Sequence, residues 1–323
     1  MDEIRFSQFA APWRDEKTRL DWKTATALFG SPNWQELELS TTSEVLFSLR
    51  GIDYLNPDGL LWVLLLGERA RQVDRNRTLW LELPHEGASL RYLKESAFAA
   101  VSSEVFMLSN PYDLDRVDVP APRRGLRFYR VDIDSLGSVV SDVGCLLTSS
   151  EFLKGLGIVP FDEVAFEYVP PFLGVVSETT KNVVQHSHST LSGGRGYIVI
   201  GEMRTGVTRI CIGDAGRGLR SSLDAKGANV ADDAAAIEGA LLYHYANPEG
   251  EGLFRVLQLV SFLEGAIRIR SGAREVFLDL SNDYLRTEDE TRSFIEEKAR
   301  YHKCANFPGV QVMIDVRRPR EKR

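Results

Sequence analysis

GYIVIGEMRTGVTRICIGDAGRGL, residues 196–219, decides the reading of the fold. Apolar residues alternate with small or polar ones through GYIVIGEM (196–203) and again through VTRICIG (207–213). That period of two predicts a pair of strands, with 204–206 as the turn between them. The second strand ends at Gly213, and Asp214, Gly216 and Gly218 follow at once. A carboxylate at a strand end among glycines fits two descriptions. It can accept a hydrogen bond from the amino group of a purine while glycine backbone lies close to the flat ring. It can also close an Asx-type turn whose glycines serve positive φ.

Upstream, LRFYRVD (126–132) reads as a strand and 135–156 as a helix. Pro170 and Pro171 then open a helix over 172–186, because proline is tolerated in a first turn and not inside. This helix carries SETTKNVVQHS (177–187), in which Glu178 and Asn182 are four apart and share a face. An amide oxygen is a hard ligand suited to Mg²⁺, and the carboxylate beside it could orient or deprotonate a nucleophile. The same pair is also what an ordinary polar helix face would show. His186 and His188 read as cap or packing residues more readily than as phosphoacceptors.

Downstream, 232–245 is an alanine-rich helix with acidic residues in its first turn, favoured by the helix dipole. A second helix covers 252–263, with Gly265 as its cap. Strands follow at 266–271, 274–280 and 310–316. In NPEGEGLFRVLQLV (247–260), Gly250 and Gly252 precede an apolar helix, where free N–H groups could bind phosphate or a glycine could simply cap the helix. Glu249 and Glu251 put negative charge beside those glycines. No GxxxxGK[ST] phosphate loop occurs. The elements predict an α/β sandwich, a mixed and mainly antiparallel sheet with helices on one face.

The stretch NPYDLDRVDVPAPRRG (110–125) has three prolines and no apolar period, and reads as a linker. Ahead of it lie a strand (EVLFSL, 44–49), a loop (53–58), a helix (59–72), a strand (TLWLEL, 78–83) and a helix (89–99). This βαβα order predicts a small sheet with helices packed on it. Residues 1–39 have weak periodicity and are set apart as an extension. The expected division is therefore 40–110, a linker over 111–125, 126–318, and a basic tail at 319–323.

Composition bounds the function. Of 323 residues, 43% are hydrophobic, enough for real cores, and the net charge is −7. A nucleic-acid binder would show a basic balance, yet the one basic cluster is the tail Arg317, Arg318, Arg320, Lys322 and Arg323. The longest apolar run, 60–66, falls far short of the roughly 20 residues that span a bilayer. Cys145, Cys211 and Cys304 are too few and too scattered for a disulfide framework. The expectation is a cytoplasmic protein with no nucleic acid or membrane as partner.

Taken in order, the Glu/Asn helix, two strands, the Asp-Gly loop and the Gly-x-Gly helix start resemble the ATP site of the gyrase, heat-shock chaperone, histidine-kinase and mismatch-repair (GHKL) superfamily. The resemblance runs over about 190 residues, through the closing strand FPGVQVMIDV. It implies the Bergerat-type fold, with ATP and Mg²⁺ as ligands. Asp214 would bind the adenine amino group, Asn182 the Mg²⁺, and Glu178 would be the general base. Gly216, Gly218, Gly250 and Gly252 would shape the pocket, and 219–249 would form its lid. NVVQHS resembles the same stretch of anti-sigma-type kinases, and no upstream phosphoacceptor helix of a sensor kinase appears. Residues 40–108 resemble the sulfate-transporter and anti-sigma-antagonist (STAS) domain through EVLFSLRGI, Asn56-Pro57-Asp58-Gly59 and TLWLEL. That family's phosphorylatable serine is Asp58 here, which either mimics the phosphorylated state or N-caps its helix.

These resemblances imply a Mg–ATP-binding regulatory protein acting in signalling, either a serine/threonine protein kinase or an ATPase. The alternatives are a non-catalytic, nucleotide-gated interaction module and a fold that has lost its nucleotide. A regulatory protein partner is implied, and a homodimer is left open.

Overall fold

The computed structural model describes residues 2–9, 12–13, 17–85, 87–96, 98–109, 127–155, 163–186, 195–202, 207–242 and 252–317. The linker, the 204–206 turn, His188, Gly250 with Glu249 and Glu251, and the tail from 318 lie outside the described residues. The chain divides into two compact units, Met1–Tyr129 and Arg130–Arg323.

The first unit is built on a parallel sheet of β1 (Asp2–Arg5), β4 (Glu44–Ser48), β6 (Thr78–Glu82) and β7 (Met107–Leu108), in that spatial order. Two short strands, β2 (Pro12–Trp13) and β3 (Lys17–Leu20), join β5 (Tyr54–Leu55) in a three-stranded sheet. Ile4, Val45, Phe47, Leu79 and Leu81 are buried on alternate positions of the larger sheet. Helix α1 (Trp22–Phe29) and α2 (Pro32–Leu39) precede β4, and α3 (Pro57–Val73) joins β4 to β6. The apolar run 60–66 lies in α3 and every one of its side chains is fully buried. The described part of residues 1–39, set apart on their sequence, thus supplies an outer strand of the larger sheet, two strands of the smaller one and two helices to this unit. The helix expected over 89–99 is two, α4 (Gly87–Glu95) and α5 (Phe98–Ser102). The break falls at Ser96, whose hydroxyl donates to Leu93 O and accepts Phe98 N–H.

The second unit is built on a five-stranded sheet in the order β11 (Ala266–Asp279), β12 (Tyr301–Arg317), β10 (Val207–Asp214), β9 (Gly196–Glu202) and β8 (Arg127–Val131), the last of which spans the boundary after Tyr129. The β11/β12, β12/β10 and β10/β9 pairs are antiparallel. Ile200, Ile210, Ile314 and Ile267 stand in one cross-strand row and are fully buried. Helix α8 (Glu163–His186) packs against β9 and β10 and lies beside α6 (Leu136–Thr148) and α11 (Gly252–Phe262). The shorter helices are α7 (Ser150–Gly155), α9 (Gly218–Asp224), α10 (Asp233–Leu241) and α12 (Glu288–Lys298).

Four expectations for this unit need correction. Pro170 and Pro171 lie inside α8, not at its start. The turn that precedes them, which loses its usual i+4 N–H donors, is that of Phe166 and Glu167, both of them exposed residues. The helix over 135–156 breaks at Ser149, which is extended and accepts Phe152 N–H on its hydroxyl. Strands 266–271 and 274–280 are one strand, β11, bent where its register with β12 shifts at Gly272. Helix α11 ends with Glu264, not Gly265, in the left-handed region (φ 49°), and Gly265 N–H donates to Val260 O. Helix α12 escaped the apolar-period reading because its sequence, EDETRSFIEEK, is mostly charged; its signal was the Thr287/Glu290 capping box.

Candidate functional site

β10 delivers Asp214 to the end of the sheet, on the same face as Ile210 and Ile212 by strand alternation. The carboxylate is almost completely buried. Its Oδ1 accepts Gly216 N–H at 2.6 Å and its Oδ2 accepts Val310 N–H at 3.3 Å. Burial disfavours the charged form and pushes the carboxyl up to about 7, against the partial opposition of these two backbone donors. The backbone carbonyl of Asp214 accepts from Gln311 Nε2 at 3.1 Å.

Glycine backbone surrounds this carboxylate. Gly216 supplies one donor, and Gly218 begins α9 with φ 76°. Gly309 of β12 was not singled out on the sequence, although its Pro-Gly dipeptide is a strand-breaking signal. Its φ is 88°, and a Cβ there would stand 2.1 Å from Asp214 O and 2.8 Å from Asp214 Oδ1. Only glycine lets β12 pass this close.

Asn182 and Glu178 lie one turn apart on α8. Glu178 Oε1 receives Lys181 Nζ at 3.0 Å, an exposed i,i+3 pair. Asn182 Nδ2 is buried and has no hydrogen-bond partner among the described residues. A Cβ on Gly252, the first residue of α11, would lie 3.8 Å from Asn182 Oδ1, so the second helix start reaches the amide. Gly250 and the side chain of His186 lie outside the described residues.

One contact ties the two clusters together. A Cβ on Gly196 would stand 2.0 Å from Val183 Cγ1, and Gly196 is the cross-strand partner of Asp214. The turn of α8 that carries Asn182 therefore lies over the end of the sheet that carries Asp214. No family model, curated protein or solved structure matches the chain. The reading of the site therefore rests on this geometry and on the residues themselves. Among the described residues no group of three or more His, Cys, Asp or Glu side chains could hold a metal ion. The groups on hand are one buried carboxylate walled by glycine, one amide whose Nδ2 is unsatisfied among the described residues, and the start of α11.

In the first unit, Asp58 does not cap its own helix; Asn56 occupies that position. The Asp58 carboxylate is buried and accepts the backbone N–H of Trp22, the first residue of α1, at 2.6 Å. It therefore holds two helix starts together, its own and that of α1.

Proposed function

We propose that the second unit binds Mg–ATP on a Bergerat-type scaffold and that the protein is a nucleotide-dependent regulator. The observation that carries this reading is Asp214: a buried carboxylate held by backbone donors, walled by glycine, and sharing a sheet end with an amide whose Nδ2 has no partner among the described residues. Such a carboxylate can accept the exocyclic amino group of adenine, which guanine does not present at that edge. The amide of Asn182 fits a Mg²⁺ ion that takes a single side-chain oxygen from the protein and the rest from phosphate and water. Bound magnesium would neutralise charge on the phosphates. The start of α11 would turn the positive end of its helix dipole towards phosphate oxygens. Glu178 would orient or deprotonate the attacking hydroxyl or water, as in a serine/threonine kinase or an ATPase.

The second reading, a nucleotide-gated interaction module without turnover, has its own support. Glu178 is engaged by Lys181 and is not aimed at an empty position. Titration calorimetry with Mg–ATP and Mg–GTP on the full chain and on Asp214→Asn tests the binding claim. Preference for ATP that vanishes in the variant is expected, and equal heats for both nucleotides would overturn it. Hydrolysis in wild type and Glu178→Ala then separates the two readings.

A further inference from the structure

Between the Asp-Gly loop and α11 the chain forms α9 and α10, and both are tied to one place. β11 and β12 carry a paired irregularity in which Ser271 pairs with Val310 and Gly272 with Phe307, leaving Pro308 and Gly309 as extra residues on β12. On β12, this bulge aims Val310 N–H at Asp214 Oδ2. On β11, Ser271 Oγ accepts Leu219 N–H at 2.9 Å, in the first turn of α9. Two residues further, Asp233 in the first turn of α10 accepts Ala273 N–H on Oδ2 at 2.8 Å. Its carboxylate lies against Gly272, where a Cβ would come within 2.4 Å of it. Gly218 and Gly309 also touch: a Cβ on Gly218 would be 3.3 Å from Gly309 O.

The nucleotide-recognising carboxylate, the start of α9 and the start of α10 are therefore fastened to the two sides of a single bulge. Bulges interrupt the ladder and re-aim the groups beside them, so what is fastened to one side of a bulge depends on the other. We propose that Ser271 and Asp233 are positioning residues through which ligand binding at Asp214 and the placement of α9 and α10 become one equilibrium. Neither residue touches ligand. A ligand on Asp214 shifts the bulge through Val310 and Gly309, and the bulge carries α9 through Ser271 and α10 through Asp233. By reciprocity, loosening α10 weakens ligand binding. This inference rests on the nucleotide reading.

The test uses the full chain, Mg–ATP, and two measurements: titration calorimetry and amide hydrogen exchange. In wild type, Mg–ATP is expected to slow exchange in α9 and α10 together with that at Gly216 and Val310. In Asp233→Ala, Gly216 and Val310 still gain protection, α10 no longer does, and affinity falls about five-fold or more. Asp233→Asn keeps an acceptor for Ala273 N–H and is expected to restore both readouts, which a merely misfolded site would not allow. Ser271→Ala provides the same test for α9. Wild-type binding with affinity and α10 protection unchanged in Asp233→Ala overturns the coupling alone. Absence of any Mg–ATP heat in wild type overturns the nucleotide reading and the coupling with it.

Discussion

Gly309 and Asp214 occupy adjoining space: the position a Cβ on Gly309 would take is 2.1 Å from the Asp214 carbonyl oxygen. The two residues are 95 apart in the chain, on β12 and β10, and their approach sets the orientation of the carboxylate. Val310 follows Gly309 directly, and its N–H is one of the two backbone donors to the Asp214 carboxylate among the described residues.

Gly309→Ala is therefore expected to be costly. The left-handed φ costs an L-residue about 1–2 kcal/mol and the overlap a further 1–3, about 2–5 kcal/mol together. Urea denaturation measures the loss. The variant should also bind Mg–ATP more weakly, because Val310 N–H is displaced. A stability change under about 0.5 kcal/mol, the usual range for a surface site, would mean that β12 does not pass as close as described.

The protonation of Asp214 makes stability depend on pH in a stated direction. Its carboxyl is near 7 folded and near the ordinary 3.8 unfolded, so the folded state holds the proton more tightly. The associated stability is full below about 4 and is lost as pH rises through about 7. At 1.36 kcal/mol per pH unit, that window amounts to about 4 kcal/mol at most. Without nucleotide, wild type should lose melting temperature between pH 5 and pH 8 by an amount that Asp214→Asn does not share. Adenine recognition uses the ionised form, so ATP affinity should rise with pH up to about 7 and binding should release a proton. Equal binding heats in buffers of different ionisation enthalpy at pH 6 would contradict this.

How far the site could be read from sequence follows from the range of the interactions involved. β9 and β10 announce themselves because each alternates around a row of isoleucines, and Asp214 follows from the strand end. Glu178 and Asn182 share a helix turn, a relation fixed by a spacing of four. The Gly309 approach depends on register between strands about a hundred residues apart, which no local period encodes. The prolines of α8 misled because the rule against interior proline weighs most where the preceding turn is shut away from water; here Phe166 and Glu167 are exposed. Asp58 misled for the opposite reason: its carboxylate accepts from a backbone N–H 36 residues earlier, at Trp22.

That last relation yields a prediction for the first unit. Asp58→Ala removes the acceptor of a buried backbone N–H at the start of α1, at a cost of about 1.5–3 kcal/mol for a bond to a charged group. Asp58→Asn keeps an acceptor and loses only the charge, costing about 1 kcal/mol from the two helix starts. Denaturant unfolding of the full chain orders the variants. Equal losses for Ala and Asn would assign the effect to charge alone, and would favour the view of Asp58 as a phosphate mimic over that of a structural acceptor.

The link between the two halves of the candidate site can be measured through Gly196 and Val183. A methyl group on Gly196 meets Val183 Cγ1 at 2.0 Å, so Gly196→Ala must push this turn of α8 off the sheet. Asn182 adjoins Val183 and moves with it, while Asp214 stays on the sheet opposite Gly196. Overpacking of this kind costs about 1–3 kcal/mol in stability. Mg–ATP affinity should fall as well, because the amide and the carboxylate are drawn apart. Val183→Ala removes the obstructing methyl groups, so the double variant should recover much of both losses. A double-mutant cycle on stability and on ATP affinity reads the coupling directly, and contacts of this type give about 0.5–3 kcal/mol. If the two substitutions add without interaction in the affinity cycle, Asn182 and Asp214 do not serve one ligand, and the site divides into two unrelated features of the fold.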